Sequence, residues 1–113
     1  TNPDIIVGDL NSESNLCDAI SSLQRYCVFQ QLPCKKDKID FIHYYLCAHA
    51  WLQSNNYIPV FKAQDFAPTC TFGGVPDWIY VKKNLQSKVV SVDKIHAIPE
   101  FSDHNALLLE INF

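Results

Sequence analysis

Five polar residues in this sequence are of types that could do chemistry together: Asp9, Asn11, Asp77, Asp103 and His104. Asp9 and Asn11 are two positions apart, so in an extended segment they point to the same side. Asp103 and His104 are adjacent and diverge, which leaves His104 to meet a third acid such as Asp77. A carboxylate holding a histidine in one tautomer is a recurrent device for acid–base chemistry and for stabilising developing charge. Two or three carboxylates with an amide also suit a hard cation such as Mg2+. Singly, each cluster is a weak signal. Gly-Asp makes turns, Asp-Trp starts strands and Ser-Asp-His caps loops, because Asp, Asn and Ser bond their own backbone.

Each candidate stands at the tip of an apolar run, and those runs must position it. Ile5-Ile6-Val7 reads as a short buried strand stopped by Gly8, with Asp9 and Asn11 hanging off its end. Asp77-Trp78-Ile79-Tyr80-Val81 is strongly β-prone. Ser102-Asp103-His104 is a loop that runs into a last strand over 105–113. Between these, Leu16, Ala19, Ile20 and Leu23 recur at helical spacing and predict an amphipathic helix over 13–25, capped by Asn11, Ser12 or Ser14. Residues 26–32 read as either a strand or an extended connection. A second helix is expected over 37–53, apolar on two flanks and therefore largely covered, and ended by Ser54-Asn55-Asn56. Residues 57–68 carry Pro59 and Pro68 without a clean period and read as a loop. A short β-prone run covers 69–72, and a strand covers 88–95. His43 and His49 on the second helix, and Trp51 and Trp78, read as packing or surface residues.

The length of 113 residues fits one domain, 1–113. An apolar content of 48% with 19% charged residues is a globular composition. A net charge of −3 argues against a nucleic-acid-coating module, which would be basic. It leaves room for an enzyme that offsets phosphate charge with a metal ion. No apolar run is long enough to span a membrane. The five cysteines, Cys17, Cys27, Cys34, Cys47 and Cys70, are odd in number and lack disulfide or zinc spacing. Free thiols point to an intracellular, reducing compartment: cytoplasm, nucleus or mitochondrion. The chain begins at Thr1 and contains no Met, which is expected of a processed or excised piece.

In order, Gly8-Asp9-Leu10-Asn11, Thr71-Phe72-Gly73, Asp77-Trp78-Ile79 and Ser102-Asp103-His104-Asn105-Ala106-Leu107 resemble the motifs of the endonuclease/exonuclease/phosphatase superfamily, the DNase I-like enzymes. The resemblance spans the whole chain but only the C-terminal half of the family's domain. The implied fold is α/β: half of a four-layer α/β sandwich, completed by another chain or fragment. The implied activity is Mg2+- (or Mn2+-) dependent phosphodiester hydrolysis, as a nuclease or nucleotide phosphodiesterase. By resemblance, Asp9 orients or deprotonates the attacking water and also touches the metal shell. Asn11 bonds the scissile phosphate or the nucleophile. His104 contacts a phosphate oxygen, Asp77 holds His104, and Asp103 sits at or beside the metal.

Two departures matter. Val75-Pro76 precedes Asp77 where the family often has a basic and an aliphatic residue. The family's metal-binding Glu belongs to the half that is absent, and Glu13, Glu100 and Glu110 are poor replacements. The expected partners are therefore the missing N-terminal half and a nucleic-acid or nucleotide substrate, with no membrane. Two other readings share the same residues. One is a non-catalytic structural subunit derived from this fold, and the other is a phosphatase acting on small phosphoesters.

Overall fold

The computed structural model describes residues 2–10, 20, 24, 39–71 and 73–113. Asn11, Phe72, Cys17, Cys27, Cys34 and the stretch expected to run on over 26–32 lie outside them, as does most of the helix expected over 13–25, of which Ile20 and Gln24 are helical. The described elements are β1 (Ile5–Asp9), α1 (Ile39–Ser54), β2 (Tyr57–Pro59), α2 (Ala63–Phe66), β3 (Asp77–Lys82), a 3-10 helix (Lys83–Lys88), β4 (Val89–Ile95) and β5 (Ala106–Ile111). This is a mixed α/β arrangement. Among the described residues, no helix is long and apolar enough to cross a membrane.

One sheet has the order β1-β3-β2, with β3 antiparallel to both neighbours. The other is the antiparallel β4-β5 ribbon. The centre of the first sheet is the strand most rich in β-branched and aromatic residues. Trp78, Ile79, Tyr80 and Val81 are all buried, so both faces of β3 are covered. Alternation sends Trp78 and Tyr80 to one face. There they join Leu52 of α1, Tyr57, Phe61 and Val75 in the core, with Ile6, Leu10 and Leu107 packed against it. Phe61 stacks flat on the Trp78 indole at 4.7 Å, and Trp78 Nε1 donates to the Val75 carbonyl at 2.6 Å. The indole thus buries its large apolar surface while its one donor stays satisfied.

Three expectations are corrected. Gly8 does not stop β1. It adopts φ +149°, a region that other residues rarely enter, and stays paired with Trp78, so the strand runs on through Asp9. Residues 57–68 are not all loop. Tyr57–Pro59 adds an edge strand to β3, and Ala63–Phe66 forms one helical turn. Proline is tolerated there because an edge strand need not donate on its outer side. Finally, the last turns of α1 are less covered than expected, with Ala50 of one stripe exposed and Leu46 and Ala48 half-buried. His49 and Leu52 are buried, whereas Trp51 is 58% exposed. The helix ends where sequence placed the stop, with Asn56 at φ +65°, a left-handed conformation that asparagine tolerates.

Candidate functional site

The β1–β3 ladder brings two acids face to face at its end: Asp9 pairs with Asp77. The Leu10 amide donates to the Pro76 carbonyl at 2.9 Å just beyond them. That bond makes Asp9 and Asp77 a non-hydrogen-bonded pair, the register in which opposing side chains come closest. Like charges placed directly opposite each other destabilise a ladder unless something offsets them.

His104 supplies the offset. Its loop is built locally: Ser102 Oγ accepts from the His104 amide at 3.1 Å, the polar turn that Ser favours. A single antiparallel bridge then joins His104 to Cys70, with Thr71 N donating to Asp103 O and Asn105 N donating to Thr69 O, both at 2.8 Å. The bridge holds the histidine over the end of β3. His104 Nδ1 lies 2.8 Å from Asp77 Oδ2 and 3.0 Å from Oδ1. A carboxylate can only accept, so Nδ1 carries the proton and donates. Nε2 is then directed at the remaining acids, 3.7 Å from Asp9 Oδ2 and 4.0 Å from Asp103 Oδ1.

This environment favours the imidazolium. The hydrogen bond to Asp77 raises the His104 pKa most strongly; desolvation pulls the other way, and the charges of Asp77, Asp9 and Asp103 add to the rise. The Asp77 side chain is the most enclosed of the group, 15% exposed against 32% for His104. Asp9 and Asp103 open to solvent, with side chains 49% and 59% exposed. Beside them lies a cleft of about 280 Å³, lined by Val7, Asp9, Asp77, Asn105, Leu107 and Leu109 among others.

Ligand-type atoms of Asp9, Asp77 and His104 all lie within 4.8 Å of one another. Asp77 and Nδ1 are committed to each other, so the oxygens that face outward around Nε2 are those of Asp9 and Asp103. Mg2+ is commonly held by one or two carboxylates plus water and substrate phosphate. Asp103 is not among these clustered ligand atoms, so the cluster offers a cation the Asp9 carboxylate and not a complete donor set. No Glu among the described residues joins the group. Glu110 is on β5 and accepts from Ser91 Oγ at 3.2 Å, and Glu100 is exposed in a turn.

Of the residues singled out in the sequence, Asp9, Asp77, Asp103 and His104 converge, and Asn11 lies outside the described residues. His49 is buried in the core, its Nδ1 bonded to the Tyr80 hydroxyl and its ring edge-on to Trp78. Burial pushes the Tyr80 phenol up to about 12, so it stays protonated. Sequence reasoning missed Asn105. Its position after His104 marked it only as the start of a strand, yet its side chain bonds two other segments. No protein family, curated protein or solved structure was found to match this chain.

Proposed function

We propose that this chain carries the acid–histidine edge of a Mg2+-dependent phosphodiester hydrolase of the endonuclease/exonuclease/phosphatase type, with the C-terminal half of that domain's sandwich. What supports the reading is one piece of geometry. His104 is fixed by Asp77 through Nδ1, and its Nε2 is turned toward two solvent-facing carboxylates. In the protonated state Nε2–H donates to a non-bridging phosphate oxygen and offsets the charge that grows there as the phosphorus becomes five-coordinate. Asp9 stands where it can orient an attacking water and accept its proton. The water oxygen bonds to phosphorus as its proton passes to Asp9, the P–O bond to the leaving alcohol breaks, and the leaving oxygen takes up a proton from solvent. Asp9 and, by the family resemblance, Asp103 would hold Mg2+, which would supply Lewis-acid stabilisation of the phosphate. A Glu from a second chain or segment completes the metal shell, so this chain alone is a poor catalyst. The substrate is a nucleic acid or nucleotide.

The test is hydrolysis of bis(p-nitrophenyl) phosphate and of a single-stranded oligonucleotide in Mg2+ or Mn2+ by the assembly that contains this chain. His104→Ala is expected to lower kcat by about 100-fold or more, the scale of losing a transition-state donor. Metal-dependent hydrolysis that survives His104→Ala overturns the proposal, as does its complete absence in the wild-type assembly. The second outcome favours a structural subunit. That reading is supported by apolar side chains left exposed at Val7, Val90 and Leu108, which invite cover whatever the chemistry.

A further inference from the structure

We propose that Asn105 is the positioning residue for His104, acting as a clip that ties together the three segments on which the histidine rests. Its main chain and side chain divide the work. Asn105 N donates to Thr69 O at 2.8 Å and so closes one side of the bridge that carries His104. Asn105 Oδ1 accepts from the Ala97 amide at 3.0 Å, which fastens the connection leading out of β4. Asn105 Nδ2 donates to Pro68 O at 3.3 Å, which fastens the segment just before Thr69 and Cys70. Both polar ends of one amide are therefore used, one on each flank of the bridge. An acid or a hydroxyl cannot reproduce the pair, because neither combines an acceptor and an NH2 donor at that separation.

Lys94 braces the same anchor from β4. Its Nζ lies 3.0 Å from Phe66 O and 3.2 Å from Pro68 O. Pro68 O is thus a shared acceptor, and the Asn105 amide links it to the connection that begins at His96. Besides the clip, the His104 loop is held by the main-chain bond from Thr71 N to Asp103 O and by short-range contacts: Ser102 Oγ to its own turn, and Phe101 N and Ser102 N to Ile98 O. Without the side-chain clip, the main-chain bonds of the bridge, Thr71 N to Asp103 O and Asn105 N to Thr69 O, are left to tie the 96–103 connection to the 68–71 segment. The 2.8 Å contact of His104 with Asp77 depends on both staying in place. Asn105 also lines the cleft together with Asp9 and Asp77.

The catalytic half of the test rests on the phosphodiesterase reading; the spectroscopic half does not. In the full chain, NMR detects the His104 Nδ1 proton and the Ala97 amide by their exchange with water. Asn105→Ala is expected to speed exchange of both by about tenfold or more while the amides of β3 keep their dispersion and protection. In the active assembly the same variant should lower kcat by about 10- to 100-fold with KM changed less than about twofold, as expected of a misplaced group that acts through geometry. Asn105→Asp keeps the acceptor for Ala97 and loses the donor for Pro68. It should leave Ala97 protected and still speed exchange of the His104 proton, so it serves if Asn105→Ala fails to fold. An unchanged His104 proton in either folded variant overturns the positioning role. A wild-type assembly without metal-dependent hydrolysis overturns the phosphodiesterase reading alone, because the exchange measurement still decides the clip.

Discussion

The bond between Asp77 and His104 should appear as an energetic coupling that weakens as pH rises. The perturbation is a double-mutant cycle of Asp77→Asn and His104→Ala, read by urea unfolding. A hydrogen bond to a charged group contributes about 1.5–3 kcal/mol when well enclosed. Here the histidine side chain is 32% exposed, so solvent screening reduces the figure. A coupling of about 1–1.5 kcal/mol is expected near pH 6. The sign with pH follows from the direction of the shift. His104 is more basic folded than unfolded, chiefly through its bond to Asp77. Its contribution is therefore full below the unfolded value of about 6.5 and is lost as pH rises through the higher folded value. The single substitutions will mislead if read alone. Asp77→Asn removes the His104 partner but also relieves the opposition of Asp9 and Asp77 in the ladder. In the His104→Ala background only the relief remains, so Asp77→Asn should there be neutral or stabilising. A coupling below about 0.3 kcal/mol near pH 6, within the error of simple additivity, would refute the reasoning. So would one that grows with pH.

Two further outcomes test the frame around the site. Trp78→Ala should cost about 3–5 kcal/mol of unfolding free energy, because it empties a stacked, fully buried position; a loss under about 1 kcal/mol by urea denaturation would mean that the core is not centred on β3. Gly8→Ala should cost about 1–3 kcal/mol although nothing lies within 4 Å of the added Cβ, because the cost is backbone strain at φ +149°; a stability equal to wild type would mean that β1 can end before Asp9.

How much of this was legible in the sequence depended on whether the signal was local. The core strand over 77–82 declared itself through consecutive β-branched and aromatic residues, and β5 through its apolar run. Their bounds moved by little. The edge strand at Tyr57–Pro59 was not legible, since three residues that end in proline carry no period and gain strand geometry only by pairing with β3. Gly8 misled for a related reason. Glycine usually ends a strand, but here its freedom at positive φ keeps the ladder going for one more pair. The convergence of Asp9, Asp77, Asp103 and His104 could be anticipated, because each stood at a strand tip. The Asn105 clip could not, since its partners are the Ala97 amide and the Pro68 carbonyl, and main-chain groups leave no mark on sequence.

The site is best understood from the charge problem at the end of the β1–β3 ladder. Two acids in a closest-approach register are unfavourable by themselves, and a fold seeking stability alone would place an opposite charge or an apolar pair there. The His104 imidazolium meets part of that need through Asp77. It leaves Asp9 and Asp103 around Nε2, which has a proton to give when the ring is charged. The local excess of negative charge is therefore directed outward, into solvent beside the cleft. A proton on Nε2 and a divalent cation near Asp9 and Asp103 answer the same electrostatic demand and should compete when they occupy neighbouring positions. On the proposed reading a phosphate group would reconcile them, because its oxygens could accept from Nε2–H while a cation would offset the remaining negative charge. That complementarity is the electrostatic basis of the phosphodiesterase proposal, and hydrolysis by the His104→Ala variant decides between it and a structural ion pair.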